Sequence, residues 1–228
     1  MYGYRHMVEK FRDTHYYKVL KFIRNNFPEY EDSFFDSISD DQYESKKWLC
    51  GVIRDLKIAE PKQVEKYCID TGIAGWQYPL LIDIVGSWFG WPLIEMIDKV
   101  AAGRITTIDC FDIDETSKKI MAQYKNFFAP EYNITQHDDY FDRKEIRRRH
   151  FIFCTSCEHM DDLINKQYYK GNPFLCLQSN NYFGLKEHIN CVNNVDELIK
   201  KNKIKKVWFK GEKQMTGYKR FMVIGQWE

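Results

Sequence analysis

The sequence has no long apolar run. Its most hydrophobic strand-like stretch, Leu80 to Ile84, is far shorter than the roughly 20 residues that cross a bilayer. No segment near Met1 has the apolar character of a secretory signal, so a cytoplasmic protein with no membrane partner is expected. An excess of one charge is also missing. Lysine and arginine number 34 against 33 acids, and a net charge of +1 creates no long-range field that would demand a polyanion. Internal repeats and low-complexity tracts are absent, and so is a disulfide framework. The 7 cysteines are odd in number and scattered, several inside apolar runs where free thiols pack as small hydrophobes, which fits a reducing compartment.

What is present is apolar material sufficient for a core: 44% hydrophobic and 16% aromatic residues in 228, enough for one main domain and an extension. The first part reads as helical. Tyr16, Val19, Leu20, Phe22 and Ile23 recur at helical spacing from His15 until Pro28 ends the run. Ser39-Asp40-Asp41-Gln42 is a capping box ahead of the stripe Tyr43, Leu49, Val52, Ile53 and Leu56. A third helix starts at Pro61 and runs to about Asp70, and Thr71 to Gly75 marks a boundary. A helical lobe over 1–75 and a second domain over 76–228 follow.

From Leu80 onward short β-rich runs alternate with helical stretches, the pattern of βαβ units. Strands are expected near 80–84, 105–111, 132–136, 150–155, 173–178, 205–210 and 220–226. Helices are expected near 91–101, 115–128, 143–149, 158–167 and 194–202. Only Gly211 to Lys219 separate the last two strands, too few for a parallel crossover, so they form an antiparallel hairpin. The fold class is α/β: a doubly wound, mostly parallel seven-stranded sheet with an antiparallel last strand and an N-terminal helical extension.

Three stations in this frame point to a nucleotide cofactor. The first strand ends in a turn bearing Gly86 and Gly90, where glycines let a ligand approach the backbone. The second ends in Asp112-Ile113-Asp114, about 25 residues later, where an acid accepts from a ribose diol. That role falls to Asp112, and Asp114 is the N-cap of the next helix. Beyond the third strand Asp138 is placed to accept from an adenine amino group.

These residues together resemble the class I S-adenosylmethionine-dependent methyltransferases, whose sheet also has seven strands and a reversed last strand. The resemblance covers residues 80–227 and implies S-adenosyl-L-methionine as cofactor. It assigns Asp83, Gly86, Ser87 and Gly90 to the methionine part, Asp112 to the ribose and Asp138 to the adenine. The family loop reads acid-x-Gly-x-Gly-x-Gly. Here Asp83 stands three residues before Gly86, and Trp88 occupies the middle glycine position. A nicotinamide enzyme would share the glycine loop and the acid, and the terminal hairpin favours the methyltransferase.

Methyl transfer needs an in-line nucleophile and a group that orients it or takes its proton. Such groups are sought beyond the fourth strand, in Thr155-Ser156-Cys157-Glu158-His159, and Glu158 and His159 are the catalytic candidates. Asn181 and Tyr182, after the fifth strand, are candidates for holding the substrate. The Asp/Asn-Pro-Pro-aromatic and Pro-Cys segments of DNA methyltransferases are absent, so a small-molecule substrate is favoured, with RNA or protein still open. Cys154-x-x-Cys157 with His188-x-x-Cys191 has the outline of a zinc quartet. Strand alternation turns Cys154 away from its neighbours, however, and no metal ligand is assigned. Arg147-Arg148-Arg149-His150 reads as a solvated helix face rather than a nucleic-acid patch. Two further functions stay open: other sulfonium chemistry, such as aminocarboxypropyl transfer or sulfonium cleavage, and a non-catalytic cofactor-binding subunit.

Overall fold

The computed structural model describes residues 15–72, 79–128, 132–138, 146–160 and 164–228. Among the described residues four α-helices precede the sheet: α1 His15–Asn26, α2 Glu31–Ser37, α3 Asp40–Asp55 and α4 Pro61–Thr71. Ser39 caps α3 by accepting from the Gln42 amide, and α4 carries Pro61 in its first turn. Helix α2 was not foreseen; Phe34 and Phe35, its buried pair, are too short a run to show a period. The expected boundary falls partly on residues 73–78, outside the described ones.

The sheet comprises β1 Leu80–Val85, β2 Ile105–Phe111, β3 Asn133–His137, β4 Phe151–Cys154, β5 Phe174–Asn180, β6 Lys206–Gln214 and β7 Lys219–Gln226. Its order is β3-β2-β1-β4-β5-β7-β6, with β7 antiparallel to both β5 and β6 and the other pairs parallel. The remaining helices are α5 Leu93–Ala101, α6 Glu115–Met121, α7 Tyr124–Phe128 and α8 Val195–Lys201. The single helix expected over 115–128 is thus two.

Period-two alternation divides the strands between two cores. Ile82, Ile84, Ile108, Cys110, Phe151, Phe153, Met222 and Ile224 face one side, where they pack with α1 to α5 in one continuous cluster. Val85, Phe111, Ile152, Cys154, Leu175, Leu177, Phe221 and Val223 face the other, with Val195 and Leu198 of α8.

Two expected helices are replaced. Residues 146–149 are not helical; Arg147 makes an isolated bridge to Tyr169, and 141–145 lie outside the described residues. Nor do Arg147 and Arg149 form a solvated face. They turn inward, one on each side of exposed Arg148, onto Asp83 and Asp109, neighbours in the β1–β2 register. Over 158–167 the described residues form only 3-10 turns, Cys157–His159 and Lys166–Tyr168.

Candidate functional site

A cleft of about 1100 Å³ opens at the carboxyl ends of β1, β2, β4 and β5, and α2 and the start of α3 close its rim with Ser33, Asp36, Asp40 and Asp41. Pockets for small molecules run to roughly 1,000 Å³, so this one has room for a nucleotide-sized group and a second molecule.

Its first wall is the β1 turn. The amides of Gly86 and Ser87 both donate to the Phe111 carbonyl at 3.0 Å, tying this turn to the end of β2. Gly86 has φ +65°, and a Cβ there would lie 2.7 Å from Met160 Cε. The left-handed backbone favours glycine here, and a side chain would also have to displace the end of Met160. Trp88 also has a left-handed backbone, φ +50°, at a cost of about 1–2 kcal/mol for an L-residue. Its amide donates to Asp112 Oδ2 at 2.6 Å, its indole Nε1 donates to Ser33 Oγ at 3.1 Å, and its ring stacks on Phe89. The side chain standing where the family has glycine thus reaches toward the N-terminal helices and forms cleft wall.

Asp112 lines the cleft and accepts from two amides, those of Trp88 and Asp114. A carboxylate offers about four acceptor positions, so each oxygen retains a lone pair for a ligand. Burial pushes its carboxyl above the ordinary value, against the two amides that pull it down. Asp114 caps α6 by accepting from the Thr116 and Ser117 amides, the role expected of it. Asp138 is on the cleft rim, paired with Lys118.

The opposite end holds Glu158 and His159, with Asn180, Tyr182 and His188 around them. Glu158 is 2% exposed. Its Oε1 accepts from Asn180 Nδ2 at 2.6 Å and from Arg220 at 3.0 Å, while its Oε2 is buried with no hydrogen-bond partner. Burial holds the His159 imidazole below its usual pKa against the pull of Glu158. Lys46 of α3 lies behind this end, where burial and then Arg220 lower its ammonium to about 7.

Six predicted residues therefore meet in one cleft: Gly86, Asp112, Asp138, Glu158, His159 and Tyr182. Four do not line it. Asp83 faces the other core, its oxygens taken by Arg149 and by the Tyr169 hydroxyl. The Ser87 hydroxyl points at Met121 Sδ. Gly90 serves packing, since a Cβ would meet Ile94 Cδ1 at 2.7 Å. Asn181 prolongs the β5–β7 ladder, its Oδ1 accepting from the Lys219 amide, and the neighbouring Asn180 takes the place at the cleft. Arg220 went unnoticed in the sequence, although a lone arginine entering the apolar run Phe221 to Ile224 is a readable signal of a buried charge with a partner.

The zinc quartet does not assemble. Cys154 is in the core, and Cys157 donates to the Cys154 carbonyl; its thiol is pushed well up by its contact with Cys154 and by burial. A thiol so held is no nucleophile.

No protein-family model matches the chain, and no curated protein matches its sequence. Its structure is nonetheless similar to a provisionally assigned sarcosine dimethylglycine methyltransferase from Galdieria sulphuraria, with TM-score 0.55 and 10% identity, covering 82% of this chain and 86% of that one. The chain has the fold of the class I S-adenosylmethionine-dependent methyltransferases. Similarity extends to an S-adenosylmethionine-dependent methyltransferase from Aquifex aeolicus (TM-score 0.49, 15% identity, 75% of this chain and 96% of that one). It extends also to the magnesium protoporphyrin IX methyltransferase of Synechocystis, solved with its cofactor (TM-score 0.44, 12% identity, 85% and 94%). Among the described residues no helix is long and apolar enough to cross a membrane.

Proposed function

We propose that this protein is an S-adenosylmethionine-dependent methyltransferase acting on a small molecule. The observation that carries the reading is the single cleft joining Gly86 and Asp112 at one end to Glu158 and His159 at the other. The cofactor end fits. Gly86 leaves open a space a Cβ would fill against Met160, and Asp112 holds spare lone pairs beside it. In this reading Gly86 and the Trp88 backbone border the methionine part, Asp112 accepts from the ribose and Asp138 from the adenine. The bound cofactor supplies an electrophilic methyl group on a sulfonium.

The chain's own residues then hold the acceptor. Glu158, fixed by Asn180 and Arg220, borders the acceptor end with an unpartnered oxygen, and the His159 ring, which lines the same end, orients the acceptor or receives its proton. Tyr182 forms the side wall, and α2 and α3 of the 1–75 lobe cover the cleft above the 76–228 domain. A concave cleft covered on one side by these helices favours a small acceptor over a polymer.

Incubation with methyl-labelled S-adenosylmethionine and a metabolite pool tests the reading. Label moving to a metabolite, with S-adenosylhomocysteine as the other product, is expected. Methylthioadenosine instead would identify different sulfonium chemistry. Cofactor binding without turnover on any pool would identify a binding subunit.

A further inference from the structure

Glu158, His159 and His188 each offer a ligand atom, and these atoms lie within 4.8 Å of one another; among the described residues no other set of three does so. We propose that these three residues bind a divalent transition-metal ion at the acceptor end of the cleft.

The donor set carries the identity of the ion. Two imidazoles and one carboxylate suit zinc or iron(II), whereas magnesium and calcium prefer oxygen throughout. Three protein ligands leave coordination positions open, the arrangement of a catalytic rather than a structural site, and all three residues line the cleft.

The surroundings are those of a built site. The buried Glu158 Oε2 lacks any partner, and an orphaned carboxylate oxygen of that kind calls for a ligand. Its other oxygen is held by Asn180 and Arg220, which leaves Oε2 as the one available to an ion. His188 donates from Nδ1 to the Tyr182 carbonyl at 2.7 Å, which makes Nε2 the lone-pair nitrogen. Ligating histidines are regularly oriented by such carbonyls. The two rings stand at 87° with centroids 4.6 Å apart. Glu158 and His159 share one 3-10 turn, and the loop bearing His188 is clipped to that turn by the Asn190 amide donating to the Glu158 carbonyl at 2.9 Å. Arg220 neutralises Glu158 in part, but Asp36 and Glu187 line the same end and restore an environment that tolerates a cation.

The assignment differs from the cysteine quartet in every ligand but His188. Its bearing on catalysis rests on the proposed methyl transfer: an acceptor hydroxyl or thiol entering an open position would bind the ion through one lone pair, release its proton to solvent more readily there, and keep a second lone pair for the methyl carbon, with His159 then holding the ion in place of taking the proton. Binding of the ion does not rest on that reading.

The test is titration of the full chain, stripped by a chelator and free of cofactor, with Zn²⁺ by calorimetry and with Co²⁺ by visible absorption. One equivalent of each is expected, with Zn²⁺ raising the melting temperature. His188→Ala and Glu158→Gln should each weaken binding by more than about a hundredfold, and Asn180→Ala, which acts through Glu158, by about tenfold. Cys157→Ala should leave it unchanged. Circular dichroism and S-adenosylhomocysteine affinity report folding separately, so loss of the metal is distinguishable from loss of the cofactor site. Absence of stoichiometric binding at micromolar metal overturns the proposal. So does binding that survives His188→Ala and Glu158→Gln, or that disappears with Cys157→Ala.

Discussion

Two groups of acids lie on this sheet and just beyond its strand ends, and they differ in what surrounds them. Asp83 and Asp109 sit mid-strand as neighbours on β1 and β2, and Arg147, Arg149, His137 and Tyr169 occupy their oxygens. Burial raises the Asp109 carboxyl, but His137, Arg149 and Arg147 together hold it below its ordinary value. Glu158 is buried as deeply as Asp83, yet one of its oxygens has no partner, and Asp112 keeps lone pairs beside an open cleft. A buried acid whose partners are complete is scaffold. One left incomplete at a strand's carboxyl end is available to a ligand, and in this chain position along the strand separates the two.

The comparison is broken most forcibly from the scaffold side. Arg149→Met leaves two buried carboxylates short of a partner and should cost about 3–5 kcal/mol in urea unfolding, the scale for stranding a buried charge. A loss under about 1 kcal/mol would show that the network is not structural.

Acid supplies the next largest effect. His150 is 2% exposed; it accepts from the Leu81 amide through Nδ1, and its Nε2 lies 3.2 Å from Cys68 Sγ. Burial lowers it from 6.5 to about 4. Its neutral form therefore contributes stability above pH 6.5, and that contribution is lost as the pH falls toward 4. The difference is about 3 kcal/mol. Stability measured at pH 7 and at pH 4 should show this loss in the wild type and a smaller one in His150→Gln.

On the cleft side, Asp112→Ala removes a charged acceptor worth about 1.5–3 kcal/mol and should weaken S-adenosylhomocysteine binding at least about tenfold. Calorimetry checks it, and an unchanged affinity would detach Asp112 from the cofactor. Glu158→Gln keeps an acceptor for Asn180 and Arg220 but strips the buried Arg220 of its counter-charge, so it should cost about 3 kcal/mol. It should also abolish turnover. Thermal melting beside an activity assay separates these, and full turnover by the folded variant would place Glu158 with Asp83 as scaffold.

The strands were legible because alternation is local, and so were Asp112 and Asp114, whose roles follow from their place after a strand. Asp83 misled because a mid-strand acid and a strand-end acid look alike until side-chain direction is known. Arg147 and Arg149 alternate with exposed Arg148, and three consecutive arginines show neither a period of two nor a helical one until their partners are known. Asp36, Lys46 and Arg220 escaped notice because they reach the site only through tertiary packing of α2, α3 and β7. His188, distant in sequence from Glu158, is joined to it by a backbone hydrogen bond that no local pattern encodes.

The central claim is that this cleft is a cofactor site, and titration of the purified chain with S-adenosylhomocysteine tests it most directly. One equivalent bound, with tryptophan fluorescence altered and affinity reduced in Asp112→Ala, is the predicted result. No binding at millimolar ligand by a protein that melts cooperatively would contradict it.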